Sequence, residues 1–172
     1  MKENAKKTLG FVFAALVVVG LVLAIVGMFV GQLVSKMPNI LNGESVKTSV
    51  KLFDEGWGEH GAPSNTFAVI SYIVTIVGLA VLAVDAVLHL FVKKDLKILR
   101  IVGAALAVVG AILVLVSGLL IVNDMWKVLG ETKELAKKAG VSIYCGAGVW
   151  LAFIGGLVGG CAGGLGLVKA FN

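Results

Sequence analysis

Charged side chains fall almost entirely in the breaks between four long apolar runs, at residues 9–34, 67–92, 101–122 and about 144–168. Crossing a hydrocarbon layer of about 30 Å takes roughly 20 helical residues, so each run predicts a transmembrane helix. The single apolar stripe that marks a helix on a soluble core is not the relevant pattern, because these runs are apolar all round. The links are short and leave no room for a separate soluble domain. Residues 1–172 are therefore expected to form one all-α integral membrane domain, an antiparallel four-helix transmembrane bundle. Its outer loops, at residues 35–66 and 123–143, are expected to carry short amphipathic segments. The basic stretch before the first run imitates a signal peptide, but cleavable segments have about 7 to 15 apolar residues. The 26 residues of this run predict a retained anchor.

The fourth run departs most from an ordinary helix. Between Gly146 and Gly166, nine of twenty-one residues are glycine, with no proline and no charge. Each interior glycine costs about 1 kcal/mol relative to alanine in water, whereas a bilayer compels every backbone amide to pair internally. Gly148, Ala152, Gly156, Gly160 and Gly164 form one four-residue row, and Gly155, Gly159 and Gly163 form a second beside it. Rows of small residues let helix backbones approach closely, which is how helices adhere in lipid. The first run carries a similar row, Gly20, Ala24, Gly27 and Gly31, suited to receive the fourth. In the third, Gly103, Gly110 and Ser117 recur every seven residues, as do Ala104, Ala111 and Gly118, a repeat that fits left-handed packing. The two glycine rows exceed what one intramolecular contact needs, so a homo-oligomer, or a complex with another membrane protein, is expected.

Composition changes this picture little. The chain is 59% hydrophobic with a formal net charge of +5, yet the placement of charge points to topology and away from nucleic acid. The amino tail, the link after the second run and Lys169 hold eight basic residues against Glu3 and Asp95; the two other loops hold seven of each sign. The denser basic segments hug the membrane, so the positive-inside bias puts both termini in the cytoplasm of a multi-pass cell-membrane protein. Trp57, Trp126, Trp150, Tyr72 and Tyr144 then lie in or near the outer interface.

Some polar residues merit individual attention. In the first outer loop, Val46, Val50, Phe53 and Trp57 recur at helical spacing and predict a short amphipathic helix, broken by Gly56, Gly58, Gly61 and Pro63. Asp54, Glu55, Glu59 and His60 gather metal-ligand types, but their spacing matches no defined metal loop, so neither a metal nor a cofactor is expected. Asp85 is the charged residue deep in an apolar run. It shares a helical face with His89 and Lys93, and an intramembrane carboxylate is a functional candidate by default. Structural pairing with His89, Lys93 or a neighbouring basic side chain competes with a role in an ion or proton path. The third helix is predicted to continue through Trp126 towards Leu129, followed by a short helix at residues 131–139 that Gly140 stops. Cys145 and Cys161 are about 24 Å apart along one helix and cannot bridge.

This layout resembles the claudin and peripheral myelin protein group of tetraspan proteins. Glu55-Gly56-Trp57 is similar to the Gly-Leu-Trp signature of claudin first loops, although without the leucine, and the paired loop cysteines have no counterpart. Pro38 stands where those proteins leave the first span, and Arg100-Ile101-Val102-Gly103 is similar to the start of their third. The resemblance implies lateral polymerisation, contacts between outer loops through Phe53, Gly56 and Trp57, or control of paracellular-type permeation. No nucleotide loop, nucleophile elbow or zinc spacing occurs, so no catalytic residue is assigned. The leading expectation is a non-enzymatic tetraspan that packs and self-associates through glycine-rich faces. The alternative is an oligomeric channel or transporter subunit using Asp85 and His89.

Overall fold

A computed structural model describes residues 3–39, 44–59, 62–92 and 96–166. In chain order these form α1 (Glu3–Phe29), β1 (Gly31–Pro38), β2 (Ser45–Lys51), α2 (Thr66–Val87), α3 (Lys97–Val128), α4 (Lys133–Lys138), β3 (Ser142–Cys145) and α5 (Ala147–Cys161). A π-helical turn extends α2 over Leu88–Val92, and another extends α5 over Ala162–Gly166. Four helices are long and apolar enough to cross a membrane: Lys7–Phe29, Thr66–Val92, Lys97–Val128 and Ala147–Leu165. They close into a ring, in which α1 packs on α5 and α2, and α3 packs on α2 and α5. Their outward faces carry exposed Phe11, Val22, Ile73 and Ile112, a surface suited to lipid and not to water.

A three-stranded antiparallel sheet, in the order β2-β1-β3, crowns one end of the bundle. It corrects the all-helical expectation in three places. The first span stops at Phe29, short of residue 34, and Gly31 belongs to β1 opposite Lys51 instead of to the small-residue row of α1. Gln32 explains the stop. Its side-chain Nε2 donates to the carbonyls of Gly27 at 2.7 Å and Val30 at 2.8 Å, taking up groups that a continued helix would have paired. The helix expected in the first outer loop is the strand β2. Its sequence SVKTSVK carries period-two alternation as well as the helical spacing read from Val46 and Val50, and three of its residues are β-branched. The strand β1 beside it decides between the two. The fourth span begins at Ala147, because Tyr144 belongs to β3.

The far side of the sheet end follows the expected plan. The helix α3 runs on to Val128, and Gly140 ends the segment that contains α4 with φ +83. Glu134 pairs with Lys137 at 3.8 Å, one residue earlier than the helical i,i+4 pairing with Lys138.

Two clusters make the core. At the sheet end, Leu33, Leu52, Tyr72, Val114, Ile143 and Val149 join the sheet's inner face to the helices. Nearer the other end, Val17, Ala24, Leu79, Leu82 and Ala107 fill the bundle axis.

Candidate functional site

The glycines of α5 are turned inward. An added Cβ on Gly155 would lie 2.6 Å from the carbonyl oxygen of Gly20 and 2.9 Å from Leu23 Cβ, both on α1. Gly148 is in the same seam, packed on Gly27, whose own added Cβ would come within 3.0 Å of the Ala152 nitrogen. Further along the row of Gly148 the neighbours are α3 and α2: Gly156 faces Ala111, Ala107 and Thr75, Gly160 faces Val108, and Gly164 faces Ala104. Gly159 and Gly163 are filled by Leu79 and Leu82 of α2. On α3, Gly103 packs on Gly78 and Leu82, and Gly110 on Thr75. Both rows are thus occupied within one chain, each by more than one neighbouring helix. Gly31 is separate from them, in the sheet.

Asp85 is fully buried on α2, and Arg100 at the start of α3 is 3% exposed. The Arg100 Nε–H donates to Asp85 Oδ2 at 2.7 Å. A charge-assisted bond of this length ties the two helices at the end opposite the sheet. The other oxygen, Oδ1, accepts no hydrogen bond among the described residues. His89 is half-buried in the π turn that follows α2; Lys93 lies outside the described residues. Of the pairing partners left open for Asp85, the structure shows a basic side chain of the neighbouring helix, Arg100.

A second polar node sits at the sheet end. The Tyr72 hydroxyl, fully buried, donates to Gln32 Oε1 at 2.6 Å, while the Gly146 amide donates to the Gln32 carbonyl at 2.7 Å. One glutamine thereby joins the end of α1, the first turns of α2 and the start of α5. The signal for it was present in the sequence, since Gln32 is the one polar side chain in a 26-residue apolar run.

The outer-loop residues divide. Trp57 is half-buried, and its indole N–H donates to the Lys51 carbonyl at 2.9 Å, so it braces the loop against the sheet. Gly56 has φ +94 and an open surface, and Phe53 is exposed with its ring 5.8 Å from that of Phe29. A cavity of about 180 Å³ lies beneath this loop, bounded by Leu33, Trp57, Pro63 and Met125. Of the four loop residues with metal-ligand side chains, His60 lies outside the described residues. No group of three such residues converges among the described ones. Cys145 and Cys161 are both free thiols, and burial pushes the Cys145 thiol above its ordinary range.

The outward face of the sheet sets like charges side by side. Lys36 on β1 stands directly opposite Lys47 on β2, and Lys51 lies on the same face further down. Ser142 and Tyr144 of β3 continue the row. Like charges directly opposite each other destabilise a sheet by some tenths of a kcal/mol, and among the described residues neither Lys36 nor Lys47 has an ion pair. No protein-family model matches the chain, and no curated protein matches it either.

Proposed function

We propose that this chain is a non-enzymatic tetraspan protein of the cell membrane, in which the helix bundle is a stem and the sheet is a contact surface for a neighbouring protein or a second copy. The observation that carries this reading is the splice between the two. Val30 alone separates α1 from β1, Gly146 alone separates β3 from α5, and the Gly146–Gln32 hydrogen bond closes the joint. A surface mounted without linkers keeps its orientation to the membrane, which lowers the ordering cost of binding. Self-association through glycine faces takes a narrower form here, because both rows are occupied inside the bundle and contact with neighbours falls to the sheet. The claudin-like layout supports the same direction, as does a topology with both termini in the cytoplasm.

The test is photo-cross-linking in native membranes from a benzoylphenylalanine at exposed Thr48, with exposed Val19 on α1 as the control. Adducts are expected from Thr48, and their mass separates self-contact from a different partner. A sheet that yields none, in membranes where the protein is abundant, overturns the proposal.

A second reading, an ion or proton path formed in an oligomer, is favoured by the unshared Oδ1 of Asp85 and the π turn beside it. Proton or cation flux into liposomes that falls in Asp85→Asn supports it; absent or unchanged flux removes it.

A further inference from the structure

The strand β2 is an edge strand, and six of its seven residues are exposed. Its free edge is open for pairing at Lys47 and Ser49 and closed at Lys51. Lys51 turns both main-chain groups away from β1: its N–H donates to Asp54 Oδ2 at 2.7 Å, and its carbonyl accepts from Trp57 Nε1. Main-chain groups alternate sides along an antiparallel strand, so Ser49 and Lys47 aim theirs the same way. No turn or loop hydrogen bond takes up either residue among the described ones. The side chains of Lys47, Ser49 and Lys51 share the outward face, and Val46, 54% exposed, and Thr48 share the other.

The level of this edge above the membrane selects among occupants. The apolar part of α1, Lys7–Phe29, has 23 residues, or about 34 Å of helix, enough for the hydrocarbon layer. From Gly31 to Lys36 the strand rises on the order of 16 Å, about twice the screening length at physiological salt. The Lys36–Lys47 pair therefore stands clear of lipid headgroups, whereas Lys51, opposite Gly31, lies at the foot of the sheet; a macromolecule outside the membrane is the fitting counter-charge for the pair. A second copy of β2 would bring the same lysines and is disfavoured by like charge.

We propose that the free edge of β2 captures an extended acidic segment of a partner protein. The segment adds a fourth strand, with a carboxylate facing Lys47 and small or β-branched residues beside Val46 and Thr48. Main-chain bonds supply affinity in such strand addition, and alternate side chains supply specificity. This inference rests on the reading of the sheet as a contact surface.

The experiment uses the full-length protein in zwitterionic nanodiscs. Its probe is a fluorescein-labelled nine-residue peptide alternating glutamate with valine and threonine. Binding by anisotropy is expected. It should weaken about five-fold in Lys47→Glu, since a reversed cross-strand pair is worth up to about 1 kcal/mol. The same variant should bind the matched lysine peptide, which shows that its sheet is folded. Methylating the peptide amides that face β2 should abolish binding. An acidic peptide that does not bind, or binds equally well when methylated, overturns the inference. So does complete competition by phosphatidylserine vesicles, which would make the face a headgroup site. If any of these occurs while Thr48 still cross-links in membranes, the contact-surface reading stands and only the acidic-strand partner is lost.

Discussion

In the bundle, backbone meets backbone because side chains are missing; in the sheet, backbone meets backbone through hydrogen bonds and the side chains remain free to be read. Gly20 and Gly155 let α1 and α5 touch at their carbonyls, a contact that tolerates nothing larger. Lys36 and Lys47, by contrast, face each other across β1 and β2 with their charges unanswered. The first region is specified by the absence of atoms and the second by a surplus of one charge. That difference separates what a change should do to folding from what it should do to contacts.

The largest effect is expected at the glycine seam. Gly155→Leu places side-chain atoms against Gly20 oxygen and Leu23 with no flexible neighbour to yield, and should cost on the order of 3 kcal/mol or more. Thermal unfolding in detergent reads this directly, and a change below about 1 kcal/mol would mean the seam is loose. Gly156→Leu, against Ala111 and Ala107, should likewise destabilise far more than Gly166→Leu near the chain end. Next comes the buried ion pair. Arg100→Leu leaves Asp85 buried without its cation and should cost about 3–5 kcal/mol, while Asp85→Leu/Arg100→Leu together should recover most of that loss. A double variant as unstable as the single one refutes the clamp. Tyr72→Phe removes the hydroxyl that Gln32 Oε1 accepts and should cost about 1–2 kcal/mol, seen as a lower unfolding midpoint. The smallest effect has the opposite sign. Lys36→Thr relieves the like-charge register with Lys47 and should stabilise the sheet by a few tenths of a kcal/mol, a gain that shrinks as salt is added. A stabilisation indifferent to salt would show that charge is not its cause.

The bundle was legible because lipid leaves one solution for long apolar runs, so four helices followed from length alone. The contact rows of α5 were legible as well, since Gly148 to Gly164 repeat at helical spacing. Which surface they serve was not, because a row of small residues looks the same whether it meets a sister helix or another chain. The sheet was hidden for a different reason. Residues 45–51 satisfy the helical and the strand period together, and only pairing with residues 31–38, which begin inside the first apolar run, selects between them. Arg100 escaped as the partner of Asp85 because their separation of fifteen positions crosses a helical hairpin, which periodicity within one helix does not span.

The joint at Gln32 and Gly146 also has a mechanical meaning. The strands β1 and β3 are bonded to each other, and each continues into one of the two helices that share the Gly20–Gly155 crossing. A sideways pull on the sheet therefore cannot tilt one of those helices without dragging the other. A load on the sheet is thus shared by both helices along the glycine seam that runs from Gly20–Gly155 to Gly27–Gly148.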